Sequence, residues 1–205
     1  MFKKLRHILG RFKWLYHYAL VDLSELGYCG EHVTINAPVS IGNPKNVFLY
    51  DDVYIGADSV ISATNAKFIM KEHASAADRL MVRTGNHMIV RGKFHHQITD
   101  EYKRNSGLMS EYDKDVIVEE DAWIGCNVTL LAGVIIGRGT TIGAGSVVPK
   151  SIPPYAIAVG VPCKVLKFRW TIDEILEHEK VLYPEDKRLS RQTLQSYFDQ
   201  FSKSN

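Results

Sequence analysis

The residues of this chain best suited to acid–base chemistry are its histidines. There are eight among 205 residues, and imidazole is the side chain that most readily exchanges a proton near neutral pH. His87 ends the motif TGNH at 84–87, and His95 and His96 follow in a polar stretch. A lone histidine is more often structural than catalytic, so its position alone does not assign His87 a role.

The cysteines suggest neither a metal site nor a disulfide framework. Cys29, Cys126 and Cys163 are odd in number and widely separated, and the chain has no CxxC motif. Paired cysteines at short, regular spacings are typical of zinc sites and of small secreted domains. We therefore expect no metal centre and interpret Cys126 as a small residue packed within the fold.

Composition excludes several classes of protein. Hydrophobic residues make up 45% and charged residues 23%, which is typical of a folded globular chain. The formal net charge of +2 gives no electrostatic reason to expect a nucleic-acid partner. No apolar run reaches the length of a membrane span, and the basic N-terminus lacks a signal-peptide core. We therefore expect a cytoplasmic protein.

A six-residue repeat dominates the chain from residue 118. Aliphatic residues stand six apart at Val118, Ile124, Leu130, Ile136, Ile142 and Val148. Four residues after each stand Ala122, Val128, Val134, Thr140, Ser146 and Ile152. This period fits neither the 3.6 residues of a helical turn nor simple strand alternation. It predicts a β-solenoid of short parallel strands, with the aliphatic side chains pointing to its axis.

An earlier stretch carries the same repeat less regularly. The aliphatic positions are Ile35, Ile41, Leu49, Ile55 and Ile61, with a two-residue slip near Pro44. Ile69 and Val82 are expected to continue the column. The polar stretch 88–115 interrupts it, and this stretch is interpreted as a loop projecting from the solenoid.

Both ends of the chain are expected to be helical. Apolar residues recur at spacings of three and four over 2–21, with basic residues between them. This segment either packs on the main domain or a neighbouring subunit, or it contacts an anionic membrane surface. Near the C-terminus, Thr171 is the expected cap of one helix, and an apolar pattern from Leu194 predicts a second.

These motifs together resemble the hexapeptide-repeat acyltransferases. The resemblance rests on the hexads, on TGNH at 84–87, AWIG at 122–125, IGAGSVV at 142–148 and IPPYAIAVGVPCKV at 152–165. It is nearest to the sugar O-acetyltransferases of the galactoside and maltose type and of capsule or lipopolysaccharide synthesis. It implies an all-β fold, a left-handed parallel β-helix with three hexads per coil. The expected domains are a helix over 1–30, a β-helix over 31–167 and helices over 168–205.

The resemblance also implies the chemistry. His87 matches the family's catalytic histidine, which removes a proton from the acceptor hydroxyl during direct acetyl transfer, without an acyl-enzyme. The family often has proline after this histidine, where this chain has Met88. Asn86 and Trp123 are implied to contact the acceptor. The acceptor is then a sugar or a polysaccharide precursor.

Acetyl-CoA is the implied cosubstrate, bound between two neighbouring subunits of a homotrimer. The positions implied to meet it are Trp123, Cys126, Gly143, Ala144, Pro149, Lys150, Lys164 and Lys167. The lysines suit phosphate groups, although a solvated basic edge would have the same composition. Trp123 would serve equally well as an exposed coil residue or a contact between subunits.

Other functions remain open on the same fold. The acceptor would instead be an amine of an amino sugar or small molecule, or the hydroxyl of an antibiotic. A non-catalytic scaffold would keep the hexads but would not need TGNH. A carbonic anhydrase of this fold needs three histidines on one zinc, and the spacing of His87, His95 and His96 does not supply them.

Overall fold

Three β-sheets, built almost entirely of parallel strands, form the three sides of a triangular prism. The computed structural model describes Phe12 and residues 21–204. Sheet A contains β1 (Tyr28–Cys29), β4 (Val47–Leu49), β7 (Phe68–Met70), β10 (Val116–Val118) and β13 (Ile135–Ile136). Sheet B contains β2 (Thr34–Ile35), β5 (Tyr54–Ile55), β8 (Ser75–Ala76), β11 (Trp123–Ile124), β14 (Thr141–Ile142), β16 (Ala156–Val159) and β17 (Lys164–Phe168). Sheet C contains β3 (Val39–Gly42), β6 (Ser59–Ser62), β9 (Met81–Arg83), β12 (Thr129–Leu130) and β15 (Val147–Val148).

The chain visits the sheets in the order A, B, C and then begins the next coil. Ile124 pairs with Ile142, and Leu130 pairs with Val148, so one coil takes eighteen residues, or three hexads. This register confirms the predicted parallel β-helix with three hexads per coil. We number the coils from the N-terminus and name each edge of the prism by the two sheets that it joins.

Two residues of every hexad between 118 and 152 fill the interior. All six aliphatic residues of the column are fully buried, and the residues four positions later are at most 5% exposed. Parallel pairing places equivalent residues of successive coils on top of one another. A side chain that its own hexad cannot bury is therefore covered by the hexads of the neighbouring coils. Thr140 and Ser146 satisfy their hydroxyls by donating to the carbonyl oxygens of Pro153 and Gly143.

The upstream coils follow the same register with one correction. Leu49, Ile55, Ile61 and Val82 are fully buried, as predicted. The prediction that Ile69 lies in the column is wrong. Met70 pairs with Leu49 and Val118 and lies inside instead. Strand side chains alternate between the two faces, so a register one residue later turns Ile69 outward.

A long insertion separates coil 3 from coil 4. It contains a 3₁₀ turn at His95–Gln97 and the short helices α1 (Asp100–Asn105) and α2 (Met109–Tyr112). An antiparallel bridge between Gly85 and Asp113 closes its foot. β9 still pairs directly with β12, so sheet C continues past the insertion without a break. The residues of 88–115 thus project from the prism, as the sequence indicated.

The C-terminal segment closes the end of the prism. β17 turns back antiparallel to β16, and α3 (Ile172–Leu182) and α4 (Arg191–Ser204) follow. Thr171 caps α3 as expected, because its hydroxyl accepts the N–H of Glu174 while the Glu174 carboxylate accepts the N–H of Thr171. A 3₁₀ turn at Glu185–Lys187 joins the two helices, and others lie at Leu23–Glu25 and Pro44–Asn46.

A buried polar cluster joins this segment to the coils. Glu179 is fully buried and accepts hydrogen bonds from the hydroxyl of Tyr155 at 2.6 Å and from the guanidinium of Arg138 at 3.0 Å. Burial, followed by the bond to Glu179, raises the pKa of Tyr155 well above its usual range. Burial also raises the pKa of Tyr183 to about 12, although Arg138 opposes the shift.

The helix predicted over 2–21 lies outside the described residues, apart from Phe12, which is helical and exposed. The two interpretations of that segment therefore stay open. None of the described helices combines the length and the apolar character that crossing a bilayer requires.

Candidate active site

His87 lines a polar cleft at the foot of the insertion. It follows β9 of sheet C and precedes β10 of sheet A, which places it on the C–A edge at coil 3. The imidazole is exposed, and the ring of His95 stands edge-on to it at a centroid distance of 6.5 Å. The cleft measures about 220 Å³ and is lined by Ser62, Thr64, Asn65, Arg83, Thr84, Gly85, Asn86, His87, Asp100, Lys103 and Asp113.

Backbone hydrogen bonds fix the segment that carries His87. The N–H of Asn86 donates to the carbonyl of Tyr112 at 3.1 Å, and the N–H of Lys114 donates to the carbonyl of Thr84 at 2.8 Å. Thr84 is itself fully buried, and its hydroxyl donates to the carbonyl of Ala66. The backbone before His87 is therefore held on one side by the C-terminal end of the insertion and on the other by the coils.

A buried ion pair lies directly beneath this segment. The ammonium of Lys103 is 2.9 Å from both carboxylate oxygens of Asp113, and the two side chains are 7% and 3% exposed. The same ammonium donates to the backbone carbonyl of Asn86 at 3.0 Å. The side-chain amide of Asn65 also donates to Asp113. Charged groups that are buried this deeply need such partners to offset lost hydration.

The B–C edge carries exposed turns with open backbone amides. Cys126 follows β11, and Ala144 stands at the equivalent place one coil later. Neither N–H donates to a protein group within the described part of the chain. At the equivalent turn of coil 2, the N–H of Ala57 donates to the carboxylate of Asp78 at 2.9 Å. Ala144 has no such side chain to offer to the amide of Cys126.

The remaining residues of the predicted coenzyme set lie on the last coils. Gly143 adjoins Ala144 and donates its N–H to Ala158 at 2.8 Å. Pro149 and Lys150 are exposed in the turn after β15, and Lys164 and Lys167 are exposed on β17. Lys150 and Lys164 both line a second cavity of about 720 Å³, where the last coils meet α4.

Two residues of the predicted site, Trp123 and Cys126, are exposed. Trp123 projects from the outer face of sheet B with half of its surface exposed, and it does not line the cleft of His87. Cys126 was expected to be packed and is instead exposed, because it falls in a turn rather than on a strand. Burial raises the pKa of the Cys163 thiol, although its bond to Ser146 opposes the shift, and such a thiol is a poor nucleophile.

Within one chain the candidate residues form two groups. Asn86 and His87 lie on the C–A edge, whereas Cys126 and Ala144 lie on the B–C edge across the width of sheet C. Sequence reasoning missed four charged residues of the cleft, which are Arg83, Asp100, Lys103 and Asp113. A charge in a polar stretch usually faces water, so the sequence carried no signal of their placement.

The prism of stacked hexads with a histidine at the foot of an insertion defines a class, the acyltransferases built on a left-handed β-helix. Residues 115–150 match the family model "Bacterial transferase hexapeptide (six repeats)". A putative acetyltransferase of Saccharomyces cerevisiae is 32% identical over 142 residues, which are 69% of this chain and 66% of that protein. The chain belongs to the hexapeptide-repeat acyltransferase family.

Solved structures agree with this assignment. A maltose O-acetyltransferase from Clostridium difficile is similar with a TM-score of 0.61 and 26% identity, over 82% of this chain and 88% of that one. A hexapeptide-repeat acetyltransferase from Vibrio cholerae, solved with acetyl coenzyme A, has a TM-score of 0.61 at 23% identity. That match covers 82% of this chain and 89% of the other, and it supports the fold.

Proposed function

We propose that this protein is an acetyl-CoA-dependent O-acetyltransferase that acts on a sugar hydroxyl, with His87 as the general base. The observation that carries the proposal is the exposed imidazole in a polar cleft, on a backbone segment held from both sides. A hydroxyl bound there would lie beside an imidazole, a group that can accept its proton. The similarity to a maltose O-acetyltransferase favours a sugar over an amine.

The reaction needs only one proton acceptor. The imidazole of His87 takes the proton of the acceptor hydroxyl as its oxygen attacks the thioester carbonyl. The new C–O bond forms, the C–S bond breaks, and the coenzyme leaves as a thiol after the imidazolium returns the proton. No acyl-enzyme forms, so the reaction needs no nucleophilic thiolate, and the raised pKa of Cys163 does not hinder it. The N–H of Cys126 would donate to the oxyanion that develops on the carbonyl.

The B–C edge has the groups that acetyl-CoA requires. The pantetheine arm of the coenzyme carries two amides, and the open N–H of Ala144, one coil beyond that of Cys126 on an exposed edge, would donate to one of their carbonyls. Gly143 adjoins Ala144 on this edge and would contact the arm, and Trp123 on the adjoining face would pack against the acetyl end. Pro149, Lys150, Lys164 and Lys167 would meet the nucleotide and its phosphates.

The separation of the two edges requires a second subunit. His87 on the C–A edge of one chain would face Cys126 and Ala144 on the B–C edge of its neighbour. Three chains arranged in this way close a ring with three equivalent sites, which is the symmetric assembly that such a contact favours. We therefore propose a homotrimer that modifies precursors of a capsule or lipopolysaccharide in the cytoplasm, where acetyl-CoA is made.

Calorimetry with acetyl-CoA, followed by a transfer assay, tests the proposal. Wild-type protein and His87→Ala should both bind acetyl-CoA, and only the wild type should release free thiol when sugar acceptors are supplied. His32→Ala, which alters an exposed histidine on the A–B edge, should behave as the wild type does. Failure of the wild type to bind acetyl-CoA would favour a non-catalytic scaffold. Near-normal turnover by His87→Ala would refute the assignment of the base.

A further inference from the structure

The ammonium of Lys103 joins three parts of the cleft. It donates to both carboxylate oxygens of Asp113 at 2.9 Å, and to the backbone carbonyl of Asn86 at 3.0 Å. Asp113 lies at the end of the insertion, Asn86 at its beginning and Lys103 in α1 between them. Asp100, one turn earlier in α1, has a carboxylate oxygen 3.8 Å from the same ammonium. One cation therefore holds both ends of the insertion against the helix within it.

Burial makes this arrangement rigid. Water has little access to the pair, whose side chains are 7% and 3% exposed, so the interaction is weakly screened. An ammonium in such a place must keep its partners, because a buried charge without them is costly. A shift of α1 would break the bonds to Asp113 and Asn86 together.

We infer that Lys103 is a positioning residue for the reaction, acting on His87 through the carbonyl of Asn86. The peptide carbonyl of Asn86 is bonded directly to the nitrogen of His87, so the ammonium fixes the peptide plane from which the imidazole projects. Reactive groups must be held within fractions of an ångström for efficient transfer. The expected effect on kcat rests on the proposed function, whereas the expected effect on the backbone at Asn86 does not.

A double variant separates the loss of positioning from the loss of folding. Lys103→Met leaves the carboxylate of Asp113 buried without its cation, which threatens the fold. The double variant Lys103→Met with Asp113→Leu removes both charges together, and it releases the carbonyl of Asn86 without leaving an unpaired carboxylate. Lys103→Arg keeps the charge and the donors. Lys180→Met, which breaks an exposed ion pair on α3, is the matched control.

The first measurement is hydrogen exchange, which needs no activity. The amides of Asn86 and Lys114 should exchange at least about tenfold faster in the double variant than in wild type. Lys103→Arg should restore most of the protection, and Lys180→Met should leave it unchanged. Unchanged exchange in the double variant would overturn the inference that Lys103 holds this segment.

The second measurement is steady-state kinetics of acetyl transfer. The double variant should lose about tenfold or more in kcat while the KM for acetyl-CoA stays within about twofold, because Cys126 and Ala144 lie on the other edge. Lys103→Arg should recover much of kcat. Full kcat in a folded double variant would overturn the positioning role. A wild type without transferase activity would refute the proposed function, and hydrogen exchange would still test the structural hold.

Discussion

Gly85 and Asp113 approach so closely that a Cβ atom on Gly85 would overlap the carboxylate oxygen Oδ1 of Asp113. The two residues form the antiparallel bridge that closes the insertion. Glycine is therefore required at position 85 by the space that the buried carboxylate occupies. Gly85, the glycine of the TGNH motif, leaves room for the carboxylate of Asp113 that pairs with Lys103, and it also leads into the segment that carries His87.

Replacing Gly85 with alanine should displace Asp113 and loosen the foot of the insertion. We expect the free energy of unfolding to fall by about 1 to 3 kcal/mol, as for other overpacked sites, and kcat to fall with it. Chemical denaturation and steady-state kinetics measure both. Gly42→Ala is the control, because its new Cβ would meet its nearest atoms at 3.8 Å. Equal stability of the two variants would contradict the prediction.

Ala144→Asp should weaken acetyl-CoA binding while preserving the coil. The new carboxylate would accept the N–H of Cys126, as Asp78 accepts that of Ala57, and would compete with the coenzyme for it. Loss of one hydrogen bond of about 1.4 kcal/mol corresponds to roughly tenfold weaker binding. Calorimetry measures the change, and Val181→Asp, at an exposed position of α3, controls for the added charge. Undiminished binding would remove Cys126 from the coenzyme site.

Mixed assemblies test whether the active site lies between chains. His87→Ala and Ala144→Asp each damage a different edge, so a site that joins two chains regains both intact edges in a mixture. At acetyl-CoA concentrations well below its dissociation constant, where Ala144→Asp alone keeps about a tenth of wild-type activity, random assembly of equal amounts should restore about one quarter of wild-type activity in a cyclic trimer. The assay compares co-refolded chains with each variant refolded alone. Activity that stays at the level of the separate variants would place the whole site within one chain.

Stability should fall at high pH because of Tyr183. Its pKa is raised by burial from 10.0 to about 12, so the folded state holds the phenolic proton more tightly than the unfolded state does. That contribution is complete below pH 10 and is lost as the pH rises towards about 12. Tyr183→Phe should therefore reduce the alkaline loss of unfolding free energy. If the unfolding free energy of variant and wild type fell equally steeply with pH between those values, the prediction would be contradicted.

Tyr155→Phe should destabilise the protein already at neutral pH. The variant removes the hydroxyl that donates to the buried carboxylate of Glu179, which costs about 2 kcal/mol for a bond to a charged group. Arg138 and the N–H of Leu189 remain as partners of Glu179, so the fold should persist. Denaturation at pH 7 measures the loss. A variant as stable as wild type would show that these partners suffice.

The prism could be predicted from the hexads because each hexad places an aliphatic residue at the same position. An aliphatic residue every six positions fixes both the sheet and the inward face, and this held from Val118 to Val148. The prediction was wrong at Ile69, where coil 3 has two adjacent residues able to fill the column and only pairing decides between them. Cys126 was misplaced because the repeat does not distinguish a packed corner from an exposed turn.

The insertion was predictable only as an interruption. Its helices have six and four residues, too few to show a helical period. The burial of Lys103 depends on Asp113 ten positions later and on the backbone of Asn86, contacts that composition does not reveal. His87 was found because its motif resembles a family, whereas the residues that hold it belong to a stretch without such a motif.

The continuity of sheet C across the insertion has an evolutionary consequence. Because β9 pairs with β12 as if the intervening residues were absent, the pairing of the coils sets no limit on the length of the segment between His87 and Asp113. Mutation can therefore lengthen or remodel the exposed parts of this segment, away from Lys103, while the coils are inherited unchanged. Variation in those exposed parts is thereby uncoupled from the stability of the coils.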